Sequence, residues 1–220
     1  MAKNNKTVLA LTLLVIAGLF SIAAGLVWLG FQLSKSNSGT TTPPPVNPVN
    51  TPTNFTSIDR VPLNSTRNVD YSKLRDYLKQ KDWRQADRET YERMLDAAGP
   101  KSQAKGFTPL DEMENLSCTD LKTIDNLWST ASKGQQGFTT QQDILRALGD
   151  YRKMYAQVGW EDEKGQKLMD WNYNAQIKRM EYKVGKEPNF KNPPPGHLPT
   201  AEREYNFDVS LNAALKRCSF

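Results

Sequence analysis

Histidine occurs once in the 220 residues, at His197, and cysteine twice, at Cys118 and Cys218. A single histidine excludes a paired-histidine metal site, and a Ser/His/Asp catalytic set would have to be forced around His197. Two cysteines are too few for a structural zinc site; they are either buried thiols or, in an oxidising compartment, a disulfide. No glycine-rich turn of the kind that opens a phosphate-binding helix is present. A strong excess of either charge is also lacking: 29 lysines and arginines against 24 aspartates and glutamates leave a formal net charge of +5. That basic balance suits an anionic ligand or partner without singling out nucleic acid, while the interleaving of the two signs through the C-terminal part of the chain makes a solvated mixed surface the default. The acidic group Asp111, Glu112 and Glu114 reads as the first turn of a helix complementing its dipole, ahead of a paired-carboxylate catalyst. Together these absences point away from an enzyme, a metalloprotein and a nucleic-acid binder.

Long hydrophobic runs are absent too, with one exception. From Val8 to Leu33 about 26 residues pass without a charged side chain, against the ~20 that cross a bilayer core as a helix. A cleaved signal peptide has an apolar stretch of only ~7–15 residues followed by a small-residue cleavage site. Here the run is longer and ends in Trp28, Leu29 and Phe31, residues that suit an interfacial aromatic belt. The expectation is a retained single-pass anchor. Lys3, Lys6 and the terminal amine precede it and only Lys35 follows closely. The positive-inside rule then puts the N-terminus on the cytoplasmic or stromal side and the rest of the chain across the membrane.

The chain is thus expected to divide into an N-terminal tip (1–7), a transmembrane helix (8–33), a Pro/Thr/Asn-rich linker (34–67) and a folded domain (68–220). The linker carries Thr40-Thr41-Thr42-Pro43-Pro44-Pro45, Asn47-Pro48 and Thr51-Pro52. Such residues offer no apolar core to offset their ordering entropy, and the prolines favour an extended spacer. The domain that follows is long enough for one packed core.

Within it, Tyr71, Leu74 and Leu78 recur at helical spacing behind Asp70 and Ser72, either of which can cap. A second helix is predicted from Arg84 to Ala98, with Ala86, Thr90, Met94 and Leu95 inward and Gly99-Pro100 ending it. Lys101 to Gly106 reads as a surface loop. From Thr119, the residues Leu121, Ile124, Leu127, Trp128 and Ala131 line one face until Gly134 stops the helix. Thr139 or Thr140 can cap the next, which carries Ile144, Leu145 and Leu148, and a short helix follows from Tyr151 to Trp160. Between Glu161 and Phe190 the period is unclear, and short helices and a hairpin both stay open. A last helix is expected from about Asp208 to Arg217, burying Val209, Leu211, Ala214 and Leu215.

The unclear stretch carries Trp171, Tyr173, Tyr182 and Phe190 among Lys178, Arg179, Lys183 and Lys191. Rings supply apolar burial and stacking while cations pair carboxylates, so this composition suits a flat, apolar, carboxylated ligand. It equally suits a membrane surface or a protein partner. His197 lies in the turn Pro193-Pro194-Pro195-Gly196-His197-Leu198-Pro199. One reading has it hydrogen-bonding the backbone to hold that turn; the other has it ligating the metal of a bound porphyrin.

Four segments, in order, resemble the genomes-uncoupled family of porphyrin-binding proteins. They are Tyr71-Ser72-Lys73-Leu74-Arg75 with Asp82-Trp83-Arg84-Gln85-Ala86-Asp87-Arg88-Glu89-Thr90; Asp120-Leu121-Lys122-Thr123-Ile124-Asp125-Asn126-Leu127-Trp128 with Gly137-Phe138-Thr139-Thr140-Gln141; Val158-Gly159-Trp160; and Gly196-His197-Leu198-Pro199. The resemblance implies an all-α, cupped domain that binds protoporphyrin IX or magnesium-protoporphyrin without a covalent cofactor. It also implies a regulator of magnesium chelatase in chlorophyll synthesis, acting on the cytoplasmic or stromal side and not itself a catalyst. The fold class expected is all-α, behind a transmembrane helix and a Pro-rich linker, in the thylakoid or plasma membrane of a photosynthetic organism.

Departures from the family pattern gather where the ligand would sit. Gln136 stands where the family usually has an aromatic residue, and Phe190 near where tryptophan is common. After Pro199 a single Arg203 lies between Glu202 and Glu204, ahead of Tyr205; acids there would repel propionates. The ligand-binding residues carried over are Phe138, Gln136, Trp171, Phe190, His197, Arg203 and Tyr205. The alternative is a non-porphyrin protein-interaction module on the same scaffold, such as a subunit or sensor of a photosynthetic membrane complex.

Overall fold

A computed structural model of the chain describes residues 57–200 and 210–220, all within the unit Pro52–Phe220. The expected tip, the anchor at 8–33 and most of the linker lie outside the described residues. Among the described residues no helix is long and apolar enough to cross a membrane.

The domain is built around α5 (Cys118–Ser132), which packs against α1 (Ser72–Lys79), α6 (Phe138–Leu148) and α8 (Leu211–Arg217). Its Leu121, Ile124, Leu127 and Trp128 recur at three- and four-residue spacing and are fully buried. A helix places such residues on one stripe, and each large side chain buried there stabilises by roughly 1.5–3 kcal/mol. Leu74 and Leu78 of α1, Phe138 of α6, and Leu211, Ala214 and Leu215 of α8 close the core from other sides.

The end of the expected linker belongs to this domain. Thr66 donates to Asp120 Oδ2 through its backbone N–H at 3.1 Å and its hydroxyl at 2.9 Å, and Thr123 donates to the Asn64 carbonyl at 2.8 Å. Asp120 is buried and also accepts the Tyr71 hydroxyl at 2.8 Å. Burial pushes its carboxyl up, but donors on Ser65, Thr66 and Tyr71 outweigh it and hold the group below its ordinary value. Polar residues that read as spacer are therefore docking groups for one buried carboxylate.

Helix α2 (Trp83–Ala98) starts at Asp82, whose side chain accepts the Gln85 N–H at 3.1 Å, and stops at Gly99. The stretch read as a loop is instead a helix, α3 (Pro100–Lys105). Proline fits its first position, and Glu112 of α4 (Leu110–Glu114) caps it from outside, accepting the N–H groups of Lys101 at 3.0 Å and Ser102 at 2.7 Å. Helix α6 is likewise capped from another element. Its start is Gly137, and neither Thr139 nor Thr140 acts as its cap. Instead the buried Asp125 of α5 accepts the Thr139 N–H at 2.9 Å and its hydroxyl at 2.5 Å. Helix α7 (Tyr151–Gln157) is capped locally, Asp150 accepting the Lys153 N–H at 2.9 Å.

The expected all-α class is corrected: among the described residues the fold is predominantly helical with one two-stranded antiparallel hairpin, β1 (Trp171–Asn174) and β2 (Arg179–Tyr182). Trp171 faces Tyr182 and Tyr173 faces Met180, while Asn172 faces Glu181 and Asn174 faces Arg179. Four-residue strands are too short for period-two alternation to show in sequence, yet they sort into an apolar and a polar face. Helix α8 is observed from Leu211, with Val209 outside the described residues. Cys218 at its end forms a disulfide with Cys118 at the start of α5, and Arg217 Nη2 donates to the Leu116 carbonyl at 2.6 Å.

Candidate functional site

The hairpin lies along the outward side of α2. The Met180 N–H donates to the Tyr91 hydroxyl at 3.0 Å, and Arg179 Nε donates to Glu92 at 2.9 Å. At the far end Gly106, at φ +74°, lets the Lys178 carbonyl press so close that a Cβ would meet its oxygen at 1.8 Å. Only glycine accepts both that conformation and that approach.

This docking lines up three rings. Trp171 and Tyr182 have centroids 5.7 Å apart with planes tilted by 34°, and Tyr182 meets Phe190 edge-on at 6.2 Å. The Arg84 guanidinium of α2 lies 4.7 Å from the centre of the Phe190 ring, within the range of a cation–π contact. Arg88, one helical turn on, is exposed beside it. Neither arginine forms an ion pair among the described residues. The indole N–H of Trp171 is buried and finds no acceptor there.

Of the residues proposed from the sequence, Trp171 and Phe190 are thus brought together through Tyr182. Phe138 is fully buried in the core and packs edge-on against Phe220 at 6.3 Å. Gln136 is also buried: its amide donates to the Pro194 carbonyl at 2.9 Å and its oxygen accepts the Leu198 N–H at 2.8 Å. The position where the family usually has an aromatic residue here holds the proline turn.

His197 is buried, with both ring nitrogens engaged. The Asn189 N–H donates to Nε2 at 2.9 Å, so Nδ1 carries the proton and donates to the Val158 carbonyl at 2.6 Å. Burial pushes its pKa down, against the opposing pulls of the Val158 carbonyl and Asp87. A neutral imidazole with its lone pair occupied has none left for a metal in this arrangement, so the turn-holding reading fits the geometry. Trp160 and Gln141 bind the same turn, donating to the carbonyls of His197 at 2.9 Å, Gly196 at 3.1 Å and Pro199 at 3.0 Å. Arg203 and Tyr205 lie outside the described residues.

The cations flagged around the rings divide. Arg179 is held by Glu92 and by the carbonyls of Gln103 and Lys178, and Lys183 pairs with Asp170. Lys178 and Lys191 are exposed. Sequence reasoning missed Arg84 and Arg88 as site residues. Their signal was the i, i+4 spacing on the side of α2 away from Ala86 and Thr90.

Comparison with known proteins adds the family. A family model described as GUN4-like matches residues 64–207. An uncharacterized protein ycf53 of Pyropia yezoensis is 32% identical over 105 residues, covering 47% of this chain and 44% of its own length. A chloroplastic tetrapyrrole-binding protein of Arabidopsis thaliana is 29% identical over 127 residues, covering 57% and 46%. The chain thus spans about half or less of the length of these curated relatives. The solved structure of GUN4 from Chlamydomonas reinhardtii superposes with a TM-score of 0.54 at 24% identity, covering 73% of this chain and 96% of that one. This is a likeness of fold.

Proposed function

The chain belongs to the GUN4-like family, and from that premise we propose that it is a non-catalytic tetrapyrrole-binding protein whose ligand lies against the α2–hairpin face. The observation that carries this reading is the ring row Trp171–Tyr182–Phe190 flanked by Arg84 and Arg88. Flat apolar area edged by guanidinium groups that form no ion pair among the described residues suits protoporphyrin IX or magnesium-protoporphyrin, whose macrocycle is apolar and whose propionates are anionic. Arg203 and Tyr205 extend the proposed set. Regulation of magnesium chelatase is the family role proposed with it.

The single-pass anchor at Val8–Leu33 is part of the same proposal. Lys3 and Lys6 before the anchor favour a domain on the far side of the membrane, and the Cys118–Cys218 disulfide suits an oxidising compartment. Contact with a chelatase on the cytoplasmic or stromal side requires the opposite topology. Ligand binding and chelatase regulation are therefore separable, and protease protection in sealed vesicles decides between the two orientations.

Titration of the full chain in detergent with protoporphyrin IX tests the ligand. Saturable quenching of tryptophan fluorescence is expected at roughly micromolar concentration or below. No quenching at concentrations about a hundredfold higher removes the reading. It would leave the second one, a protein-interaction module, which draws on the burial of Phe138, Gln136 and His197 inside the scaffold.

A further inference from the structure

Asp87 sits on α2 with its side chain fully buried. Its Oδ1 accepts the Thr200 N–H at 2.6 Å and the Thr200 hydroxyl at 2.9 Å, and its Oδ2 accepts the Tyr182 hydroxyl at 2.6 Å. The two hydroxyls are also within hydrogen-bond distance of each other. One carboxylate thus receives a backbone donor and two side-chain donors from elements 95 and 113 residues away in sequence.

We infer that Asp87 is the positioning residue of the ligand face, acting through Tyr182 and Thr200. This rests on the tetrapyrrole-binding reading above. Tyr182 is the middle ring of the row and touches both Trp171 and Phe190, so anchoring its phenol sets the plane against which the other two rings lie. Thr200 closes the turn that begins at Pro193, and the same carboxylate ties that turn to the helix carrying Arg84 and Arg88. A half-buried aromatic row without such an anchor would rearrange on binding and lose affinity to that cost. Only a group with two acceptor oxygens serves here. Asparagine offers one oxygen and an NH2, which leaves at least one donor of Tyr182 or Thr200 facing another donor unless it turns away.

The test compares the full chain with Asp87→Asn, Tyr182→Phe, Thr200→Val and the Asp87→Asn/Tyr182→Phe double variant, titrated with protoporphyrin IX and measured by near-UV circular dichroism without ligand. Asp87→Asn and Tyr182→Phe are each expected to weaken binding about tenfold, the loss of one charge-assisted hydrogen bond. The double variant is expected to be no weaker than Asp87→Asn alone, since both changes remove the same connection. Asp87→Asn is also expected to change the dichroism of the Trp171–Tyr182 pair, which a residue serving stability alone would leave unmoved. Additive losses, or a folded Asp87→Asn protein binding within about twofold of the parent, overturn the proposal. Where Asp87→Asn does not fold, Tyr182→Phe and Thr200→Val decide it, and parental affinity in Tyr182→Phe overturns it. If the parent chain itself takes no porphyrin, the ligand reading fails separately. The dichroism then judges the positioning role, an unchanged signal in Asp87→Asn rejecting it.

Discussion

The Nδ1 of His197 donates to the carbonyl oxygen of Val158 at 2.6 Å, while Nε2 of the same ring accepts the N–H of Asn189 at 2.9 Å. One imidazole therefore ties the end of α7 and the segment around Asn189 to the proline turn. Replacing His197 by alanine is expected to cost about 1–3 kcal/mol in unfolding free energy, the penalty for leaving buried backbone groups unsatisfied. Chemical denaturation measures this. The absorption spectrum of zinc-protoporphyrin bound to the variant should match that of the parent, and a shifted spectrum would mean that the ring ligates the metal.

The same burial makes stability depend on pH. The folded-state pKa of His197 lies below its ordinary value, whereas the unfolded residue protonates at about 6.5. Below that pH the unfolded chain binds the proton that the folded state refuses, so stability falls as pH drops from about 7 toward 5. Asp125 works in the opposite sense at lower pH. Burial raises its pKa, so the folded state takes up a proton first and that penalty is relieved on acidification. The midpoint of thermal unfolding, followed between these pH values, should decline less in His197→Gln than in the parent.

Reduction of the Cys118–Cys218 bond should loosen α8 without releasing it. The bond spans 100 residues; disulfides typically stabilise by roughly 2–4 kcal/mol, and loop-closure entropy puts so long a loop at about 4–5 kcal/mol. Arg217 to Leu116 and Gln142 to Asn212 remain as independent contacts. A lower unfolding temperature in reductant is expected for the parent. No further change on reduction is expected for the Cys118→Ser/Cys218→Ser variant.

Gly106→Ala should detach the hairpin. Its Cβ would fall 1.8 Å from the Lys178 carbonyl oxygen, in a backbone conformation of φ +74°. Strain at such a position costs about 1–3 kcal/mol, and the backbone must also move apart. Limited proteolysis should cut between Asn174 and Arg179 faster than in the parent, with a smaller change elsewhere.

Arg84→Gln/Arg88→Gln separates binding from folding. Both side chains are exposed, so unfolding free energy should change by no more than about 1 kcal/mol, the contact of Arg84 with the Phe190 ring included. Protoporphyrin affinity should fall about tenfold, and its dependence on salt should flatten, because two charge-assisted contacts are lost. Unaltered affinity would move the ligand off this face.

Much of the helical framework was readable because its signal is local. Leu121, Ile124, Leu127 and Trp128 announce α5 by spacing, and Gly99-Pro100 announces the end of α2. Helix α3 was not readable, because its cap is Glu112, ten residues and more beyond the groups it satisfies. The start of α6 was misplaced for the same reason, with Asp125 supplying the acceptor from 14 residues upstream. The hairpin stayed ambiguous because two four-residue strands carry too few alternations to distinguish them from a helical turn.

The site divided along the same line. Trp171, Tyr182, Phe190 and His197 were recognisable as unusual by residue type and setting. Their roles were not, since a ring that binds a ligand and a ring that fills a core have the same composition. The helical scaffold, the family pattern and the expectation of an anchor were all legible from residue order alone, since each rests on spacing and composition along the chain. Folding in three dimensions was needed to show that Gln136 and His197 hold the proline turn, that Phe138 fills the core, that Cys118 meets Cys218, and that Arg84 lies over Phe190. Each of these is a pairing across tens of residues, made by packing and hydrogen-bond geometry that no local pattern records.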